Sequence, residues 1–395
     1  MKKVLNIMLM CCVLCSCHDK THKTLKQAEA SMPVDKADSI LEWPKTSTVS
    51  YESLIENEMD SVVVLPLQEK SGQMLGQIVQ IQHLNDTLVI SDNKRVCLYN
   101  SEGEYLSSIG AVGHGPNEYL SLGGMYIVED SIYIKDAGAG RILTYNVDGK
   151  LTNTRDFADG APQEFCILND GIVLGAYSGY RPNSLFRLVV FDAKMDIMGT
   201  SFPYTEPQEY VAGRFIKQQH QDALFAYPLC DTIFKVTATK VTPVICMNLQ
   251  DNQVVSDFID ETSDMSQEKF IQKLYGTDKL VNEVEVYPYH EGWFLYYQNS
   301  KGSYYSFVNS QQRKDYVRSD IEKQKLYYPF SIISSKDNWV YGYIDPSSLS
   351  YMDADSRNKW MVYIKDHSLR PLSDLDIKNA IPLVVKMHIR QGGSI

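Results

Sequence analysis

The chain has 395 residues, enough for one large core or for two or three domains of ordinary size. Its 49 acidic residues outnumber the 38 lysines and arginines, which gives a formal net charge of −11. A surface of that sign repels nucleic acid and anionic lipid, so we expect neither to bind the body of the protein.

The N-terminal residues have the pattern of a secretory signal. Two lysines precede an apolar stretch over residues 4–14, which is much shorter than the roughly 20 apolar residues of a membrane-spanning helix. The four residues that end in Cys17, Leu-Cys-Ser-Cys, resemble the lipobox of bacterial lipoproteins, in which the chain is cut before an acylated cysteine. We therefore predict a signal peptide over 1–16 and lipid attachment at Cys17. The alternative is an ordinary signal peptide that is cut elsewhere.

Residues 17–60 are mostly polar and show no regular alternation of apolar residues. Such a composition favours a tether or a short helix over a packed core. We expect this segment to connect the lipid to the folded part of the chain.

From about Val62 onward the sequence has the pattern of a β-protein. Short runs rich in Tyr, Val and Ile are interrupted by Asn, Asp and Gly about every eight to twelve residues. Helical periodicity is largely missing until after Leu249. The pattern predicts an all-β fold with local helical additions.

A repeat runs along this β-rich part. Three strand-like segments begin with arginine and carry an aromatic residue at the fifth position: Arg95–Leu106, Arg141–Leu151 and Arg187–Ile197. Their aromatic residues, Tyr99, Tyr145 and Phe191, are 46 residues apart at each step. That period is close to the length of a four-stranded propeller blade.

Later units are strand-like but less evenly spaced. They are Asp231–Val236, Ser303–Asn309, and a sixth unit made of Trp339–Ile344 and Ile381–Ile389. The longer spacing before the fifth unit contains a helix-like pattern, so we expect a helical insertion near 251–283. A second insertion is expected near 346–380, where Trp360–Ile364 fits either a strand or one side of a helix.

These units predict a six-bladed β-propeller of four-stranded antiparallel blades over residues 61–390, followed by a short tail at 391–395. A ring of blades has to be closed, because an open edge strand invites aggregation. The apolar strand 61–67 has no repeat of its own. We expect it to complete the last blade beside the strand at 381–389.

The loop after the first unit carries a second recognisable pattern. Six of its residues have the spacing G-x-x-G-x-G-P-x-E-Y: Gly110, Gly113, Gly115, Pro116, Glu118 and Tyr119. This loop resembles the first-blade signature of six-bladed, NHL-like propeller lipoproteins from Gram-negative gut bacteria, and the resemblance covers about residues 61–390. It implies the fold, export and lipid anchoring, without implying a particular reaction. Many such relatives occur near glycan-uptake systems.

The resemblance also bears on location. The residues after Cys17, His-Asp-Lys-Thr-His-Lys, lack the acidic run associated with export to the cell surface in these bacteria. We expect lipid anchoring to the periplasmic leaflet of the outer membrane, with the cell surface as the alternative.

Clustered glycines also occur in phosphate-binding loops, but no helix follows this one, so we expect no nucleotide site. The structural interpretation is that Gly110, Gly113 and Gly115 allow positive φ where the chain crosses between blades. Pro116 would stiffen the crossing, and Glu118 and Tyr119 would anchor it by hydrogen bonds.

In a four-stranded blade, the loops between strands two and three and the crossings to the next blade emerge on one face, around the central channel. The candidate ligand-binding residues on that face are Asp92, Arg95, His114, Asp136, Arg141, Arg181 and Lys301. Basic side chains grouped on an acidic protein suit a carboxylate or a sugar acid. The alternative is that these residues form turns and salt bridges between blades.

The sequence contains no HExxH, HxH or GxSxG motif, so catalytic residues stay unassigned. We expect no cofactor, although calcium or zinc in the channel, gathered by His114, His220 and His290, is an open alternative. The function predicted is a non-catalytic binding or scaffolding module for a glycan, a peptide or an envelope protein. The alternative is a metal-dependent lyase or hydrolase on a propeller scaffold.

Four cysteines lie beyond the signal and the anchor: Cys97, Cys166, Cys230 and Cys246. None has CxxC spacing, and strand-like surroundings favour buried thiols. A disulfide between Cys230 and Cys246 stays open at this point, because the periplasm would permit it.

Overall fold

A computed structural model describes residues 32–390, except for 47–48, 51–52, 69–74, 178–184, 205–212, 219–220, 282, 291 and 374–380. Six sheets stand around a common axis, each with its first strand innermost. The predicted six-bladed all-β propeller is therefore confirmed.

The described part of the chain begins at the rim of the propeller. Its first described elements are strands β1 (Leu41–Glu42) and β2 (Val49–Ser50), helix α1 (Leu54–Glu58) and strand β3 (Met59–Pro66). Blade 1 follows with β4 (Gln80–Leu84), β5 (Thr87–Ser91), β6 (Val96–Tyr99) and β7 (Tyr105–Ser108). Blade 2 has β8 (Leu122–Val128), β9 (Ser131–Asp136), β10 (Arg141–Asn146) and β11 (Leu151–Asp156). Blade 3 has β12 (Glu164–Ile167), β13 (Val173–Ala176), β14 (Phe186–Phe191) and β15 (Ile197–Pro203).

The second half of the ring carries the helical insertions. Blade 4 has β16 (Arg214–Gln218), β17 (Asp222–Ala226), β18 (Thr232–Thr237) and β19 (Val241–Cys246). Helices α2 (Asn252–Thr262) and α3 (Gln267–Gly276) come next. Blade 5 has β20 (Glu283–Tyr289), β21 (Gly292–Asn299), β22 (Gly302–Val308) and β23 (Arg313–Asp320), with the short β24 (Lys325–Leu326) beside β23. Blade 6 has β25 (Phe330–Lys336), β26 (Trp339–Ile344) and, after helix α4 (Ala354–Asp366), β27 (Leu383–Ile389).

The 46-residue repeat has a structural basis. Tyr99, Tyr145 and Phe191 all lie in the third strand of their blades, where each follows a β-bulge against the fourth strand. Phe234 in β18 follows the same kind of bulge. In blade 5 the bulge lies between Ser303 and Tyr304, near the start of β22, and the helices α2 and α3 before this blade lengthen the spacing of the repeat.

The ring closes as the sequence indicates. Strand β3 pairs antiparallel with β27, from Leu383 opposite Pro66 to Ile389 opposite Met59. The last blade thus combines three C-terminal strands with one from the N-terminal part of the chain.

The described residues between 32 and 58, which fall within the segment predicted as a tether, pack along the rim of blades 3 to 6. We call this segment the belt. Met32 N donates to Thr200 O in blade 3 at 3.1 Å. β1 and β2 then pair parallel with β19 and β23. The belt supplies hydrogen bonds to outer strands that would otherwise be open edges.

Both predicted insertions are helical. In the second one, the segment that fitted a strand or a helix lies in α4, where Trp360 packs edge-on against Phe330 and Tyr328. None of the helices in the described part of the chain is long and apolar enough to cross a membrane.

The core lies between neighbouring blades as a series of apolar clusters. Cys97 and Cys166 are buried in it, and burial raises the pKa of the Cys97 thiol to about 11 and that of Cys166 to about 12. Cys230 and Cys246 are half-buried free thiols, so the structure contains no disulfide between them.

Candidate functional site: the axial channel

The first strands of the six blades enclose a channel of about 1740 Å³ along the axis. This is larger than the roughly 300–1,000 Å³ of an ordinary small-molecule pocket. Among the described residues, its wall contains six carboxylates and four cationic side chains: Asp92, Glu164, Asp231, Glu283, Glu285 and Asp337, with Lys135, Arg214, Arg318 and Lys336. The channel is therefore a polar cavity with an excess of acidic groups.

One mouth of the channel carries the loops between strands two and three of a blade and the crossings to the next blade, as the sequence predicts. We call it the upper mouth. The crossing from blade 1 meets the second-to-third-strand loop of blade 2, because Asp136 Oδ1 accepts from Leu120 N and Ser121 N at 3.0 and 3.2 Å. Tyr275 of α3 also lines the wall, so the first helical insertion contributes to this mouth.

Arg214 is the centre of a charged group shared by three blades. It is the first residue of β16, and its Nε lies 3.8 Å from Glu164 Oε1 of β12. Its Nη2 lies 4.0 Å from Glu283 Oε1, and Nη1 donates to Glu285, both on β20. Tyr287 OH donates to Glu285 Oε2 at 2.6 Å. Three carboxylates thus surround one guanidinium.

The pKa values around Arg214 reflect the excess of carboxylates over guanidinium groups. Burial raises the pKa of Glu164 and of Glu283, and the attraction of Arg214 offsets only part of the rise. Burial alone would lower the pKa of Arg214, but Glu285 and Glu164 raise it above its usual value. Glu164 still has 41 % of its side-chain surface open to the channel. A cation entering the channel would stabilise these carboxylates.

Arg318 is a second arginine on the wall, held in a different way. Its Nε donates to Phe330 O at 3.3 Å and its Nη2 to Ser331 Oγ at 3.1 Å. The guanidinium lies 5.7 Å from the ring centre of Tyr296 and 5.9 Å from that of Tyr305. Within the described part of the chain, no carboxylate lies within 4.0 Å of it. At close range its charge is therefore balanced by rings and dipoles, while Glu283 attracts it from farther away.

The opposite side of the channel is lined by amides. Gln80 Oε1 accepts from Met125 N at 2.8 Å, and Gln82 Nε2 donates to Met125 O at 3.0 Å. These bonds join the inner strands of blades 1 and 2 at a bulge in β8. Farther round, Gln77 Nε2 donates to Tyr343 OH of blade 6 at 3.0 Å.

Among the described residues of the predicted ligand face, Asp92 alone lines the channel. Its Oδ1 accepts from Lys94 N and Arg95 N, both at 2.6 Å, and its Oδ2 accepts from Gly76 N at 2.8 Å. These bonds shape the turn between β5 and β6. Arg95 is half-buried and lies outside the channel wall.

Asp136 and Arg141 join two blades. Asp136 is fully buried and accepts from Arg141 Nε at 3.1 Å, in addition to the backbone of the blade 1 crossing. Arg141 Nη2 donates to Glu118 O at 3.1 Å. Asp136 and Arg141 thus form a salt bridge that anchors the crossing from blade 1, which agrees with the alternative to ligand binding.

The other predicted positions do not converge. His114 is exposed, and Lys301 forms an exposed ion pair with Asp278 at 3.1 Å. Arg181 and His220 lie outside the described residues. His290 lines the channel, but the structure does not bring His114 to it. In the described ranges no three His, Cys, Asp or Glu side chains are placed to hold one metal ion.

The glycine loop is built around its own glutamate. Gly115 N donates to Glu118 Oε2 at 2.6 Å, and a Cβ at Gly113 would lie 2.0 Å from that oxygen. Only Gly110 of the three glycines has positive φ, at 62°, so Gly113 and Gly115 provide room rather than the expected backbone conformation. Tyr119 OH donates to Lys94 O at 2.9 Å, which fastens the crossing to blade 1.

The predicted ligand face lacks four charged residues of the channel wall: Glu164, Arg214, Glu283 and Arg318. Each lies within a strand, where the sequence reads as ordinary alternation. The available signal is a charged residue at the first position of an inner strand, as in Glu164, Arg214 and Glu283.

Asp231 lies at the upper mouth and responds to pH. It is 6 % exposed, and burial raises its pKa from 3.8 to about 6, although Leu249 N donates to it. The folded protein therefore binds this proton more tightly than the unfolded chain does. Its contribution to stability falls as pH rises from about 4 to about 6, and stays lower above that range.

We expect Asp231→Asn to be more stable than the wild type at pH 7 by about 1–3 kcal/mol, and equal to it near pH 4. The amide oxygen keeps the acceptor for Leu249 N and removes the buried charge. Urea unfolding at the two pH values measures the difference. A gap between variant and wild type that is the same at both pH values would contradict the shifted pKa.

Fold and channel together define the class of protein: a closed six-bladed β-propeller with a charged, tyrosine-lined axial channel. Residues 44–375 match the family described as domain of unknown function DUF4934, and the chain belongs to that family. No protein of curated function matches the sequence.

One solved structure supports the fold, and a second is less similar. A candidate exported protein from Bacteroides fragilis is 19 % identical, with a TM-score of 0.67 over 89 % of this chain and 100 % of its own. A member of the DUF4221 family from Bacteroides vulgatus is 9 % identical, with a TM-score of 0.48 over 85 % of this chain and 98 % of its own. At 19 % identity, the first likeness shows the fold alone.

Proposed function

We propose that this protein is an exported, lipid-anchored envelope protein whose propeller is a non-catalytic binding or scaffolding module. The signal-like N-terminus with its lipobox-like Cys17 supports export and anchoring. The resemblance to NHL-like propeller lipoproteins and the candidate exported protein from B. fragilis support the same location. On this proposal, Cys17 carries the lipid and residues 18–31 connect it to the belt.

The observation that carries the binding role is the channel itself. It is open to solvent, takes residues from all six blades, and combines tyrosines and amides with charged side chains. Such walls suit a hydroxyl-rich ligand, since rings stack against a sugar face and amides hydrogen-bond its hydroxyls. A glycan is therefore the first ligand class to test, in line with a link to glycan uptake. A peptide or an envelope protein is the other candidate.

We expect Cys17→Ala to release the protein from the membrane fraction, because a thiol is required for acylation. Labelling cells with a radioactive or clickable palmitate measures the lipid, and fractionation measures the location. Loss of label without loss of export is the expected result. A Cys17→Ala protein that stays labelled and membrane-bound would contradict the assigned cysteine.

The leaflet is tested in the same cells. A protein on the periplasmic leaflet of the outer membrane stays intact when protease is added to whole cells, and is degraded once the outer membrane is permeabilised. Rapid loss in intact cells would place it on the surface.

The ligand role is tested by Val79→Trp on an array of neutral, amino and acidic glycans. Val79 is 44 % exposed and lines the channel, so a tryptophan narrows the channel without entering the core. We expect it to weaken glycan binding about tenfold or more. Val147→Trp is the matched control, because Val147 is 40 % exposed and lies outside the channel wall.

Two outcomes would contradict this proposal. Equal glycan binding by both variants and the wild type would show that the channel does not bind the glycan. Stoichiometric zinc or calcium in the purified protein, lost together with binding on chelation, would favour a metal-dependent enzyme instead.

A further inference from the structure

Two charge imbalances lie close together in the channel wall. Around Arg214, three carboxylates share one guanidinium. Arg318 has no carboxylate within 4.0 Å in the described part of the chain. Buried and half-buried charges in proteins are ordinarily paired, so each imbalance indicates a missing partner of the opposite sign.

Strand register places the two imbalances on the same face of blade 5. Glu283 of β20 is opposite Gln298 of β21, which is opposite Ser303 of β22. Ser303 is opposite Ser319 of β23, and the β-bulge at this point makes Arg318 the extra residue, which faces the same side. Arg318 stacks over Tyr296 and Tyr305 on this face. The acidic side chains are therefore at the inner edge and the arginine at the outer strand of one sheet.

Blade 6 forms the facing side of this cleft. Ser331 accepts from Arg318, and Tyr343 and Ser331 both line the channel. Between the two charged ends lies Tyr296, half-buried, whose OH donates to Gln298 Oε1 at 3.0 Å. The strands of blade 5 are about 4.8 Å apart, so about 14 Å separates the backbones of β20 and β23. Glu283, Arg318 and Tyr343 all line the channel, so a small molecule inside it can reach both charged ends.

We propose that this cleft between blades 5 and 6 binds a sugar that carries both an amine and a carboxylate. The carboxylate pairs with the free edge of the Arg318 guanidinium, and the ammonium lies beside Glu283 and Glu285. The sugar ring stacks between Tyr296 and Tyr343. The inference rests on the binding role proposed above and specifies its ligand class.

A ligand of one charge fits the wall less well. A simple acid would satisfy Arg318 but would enter a channel where six carboxylates face four cations. A simple amine would be attracted to Glu283 and Glu285 but would leave Arg318 without a partner. Only a ligand with both groups corrects both imbalances, and bidentate binding of a carboxylate by arginine adds direction to the contact.

Four related sugars separate these possibilities: muramic acid, which has amine and carboxylate, glucosamine, glucuronic acid and glucose. Each is titrated into the mature protein by ligand-observed NMR, at a pH where the amine is protonated. We expect muramic acid to bind at least about tenfold more tightly than each of the other three. A bidentate arginine–carboxylate contact is of the size that gives such a ratio.

Variants then locate the contacts. Arg318→Gln should reduce the affinity for muramic acid about tenfold or more, to that for glucosamine, and Glu283→Gln should reduce it toward that for glucuronic acid. Phe330 O keeps Tyr305 OH as a donor at 2.7 Å in the arginine variant, so we expect it to fold. Arg357→Gln is the matched control, because Arg357 also donates two hydrogen bonds, here to two carbonyls, but lies on α4, outside the channel wall. Thermal melts of all variants accompany the titrations.

Each result decides the inference. Selective muramic acid binding that Arg318→Gln abolishes and Arg357→Gln preserves supports it. Equal affinity for glucose and muramic acid overturns it while leaving a glycan-binding function in place. Binding that survives Arg318→Gln in a folded variant overturns it as well. No binding of any of the four sugars overturns it, and the glycan array then decides separately on the proposed function.

Discussion

We expect a truncated protein that starts at residue 68 to lose its cooperative unfolding transition. Such a chain lacks β3, whose Val64 and Leu65 are each only 1 % exposed. Burial of each such side chain contributes about 1.5–3 kcal/mol, and the lost strand also removes the ladder to β27. A folded domain is stable by only about 5–15 kcal/mol in total. Losing β3 therefore removes most of that stability and opens the ring. Differential scanning calorimetry measures the loss as a missing transition.

Shorter truncations are the controls for this result. A chain that starts at residue 32 keeps the whole belt and should melt like the full mature protein. A chain that starts at residue 53 loses β1 and β2 but keeps β3, so we expect a cooperative transition at lower temperature. An unchanged melt for the chain that starts at residue 68 would show that β3 does not close the propeller.

Arg313→Gln lowers the free energy of unfolding by about 3–5 kcal/mol. Arg313 and Asp315 form a buried, bidentate pair in β23, at 2.8 and 2.9 Å. Ser306 Oγ and Tyr297 OH also donate to Asp315, at 2.6 and 2.8 Å. Removing the guanidinium leaves a fully buried carboxylate without its counter-charge. Urea unfolding followed by tryptophan fluorescence measures the change.

A double-mutant cycle separates the interaction energy of the Arg313–Asp315 pair from the effects of the single substitutions. In Arg313→Gln/Asp315→Asn no buried charge is left unpaired, so the double variant should lose clearly less than the sum of the single variants. Lys301→Gln, in the exposed pair with Asp278, should show no measurable change. Additive losses in the cycle would mean that the two side chains act independently.

Much of the fold follows from local sequence. Third strands carry an aromatic residue directly after a bulge, and this repeats the pattern through Tyr99, Tyr145 and Phe191. The apolar strand at 61–67 has no repeat of its own. It indicated closure because an open ring would leave an exposed edge strand that it could cover. Trp360 could not be assigned, since a short apolar run fits a strand or a helix until its neighbours are known.

The belt was beyond the reach of sequence patterns. Strands β1 and β2 have two residues each, too few for any periodicity, and the parallel pairing of each with β19 or β23 depends on the finished blades. Polar composition indicated a tether because it reports the absence of a self-contained core. It does not report hydrogen bonding to the edge of another sheet.

The candidate site shows the same limit. Loop position predicts Asp92 and Asp136 on the face of the upper mouth, but the backbone of nearby turns occupies their oxygens. Arg214 and Glu283 meet only because consecutive inner strands stand side by side around the axis. Which charged strand residue faces which partner is a property of the ring, and a single sequence does not contain it.

We expect the axial channel to bind the ligand in the cleft between blades 5 and 6. A crystal structure of the mature protein, grown with the sugar that binds most tightly in the titrations, tests this most directly. It should show a ring between Tyr296 and Tyr343, with an acidic group within hydrogen-bond distance of Arg318. Sugar density on the outer rim of the blades, with none in the channel, would contradict the claim.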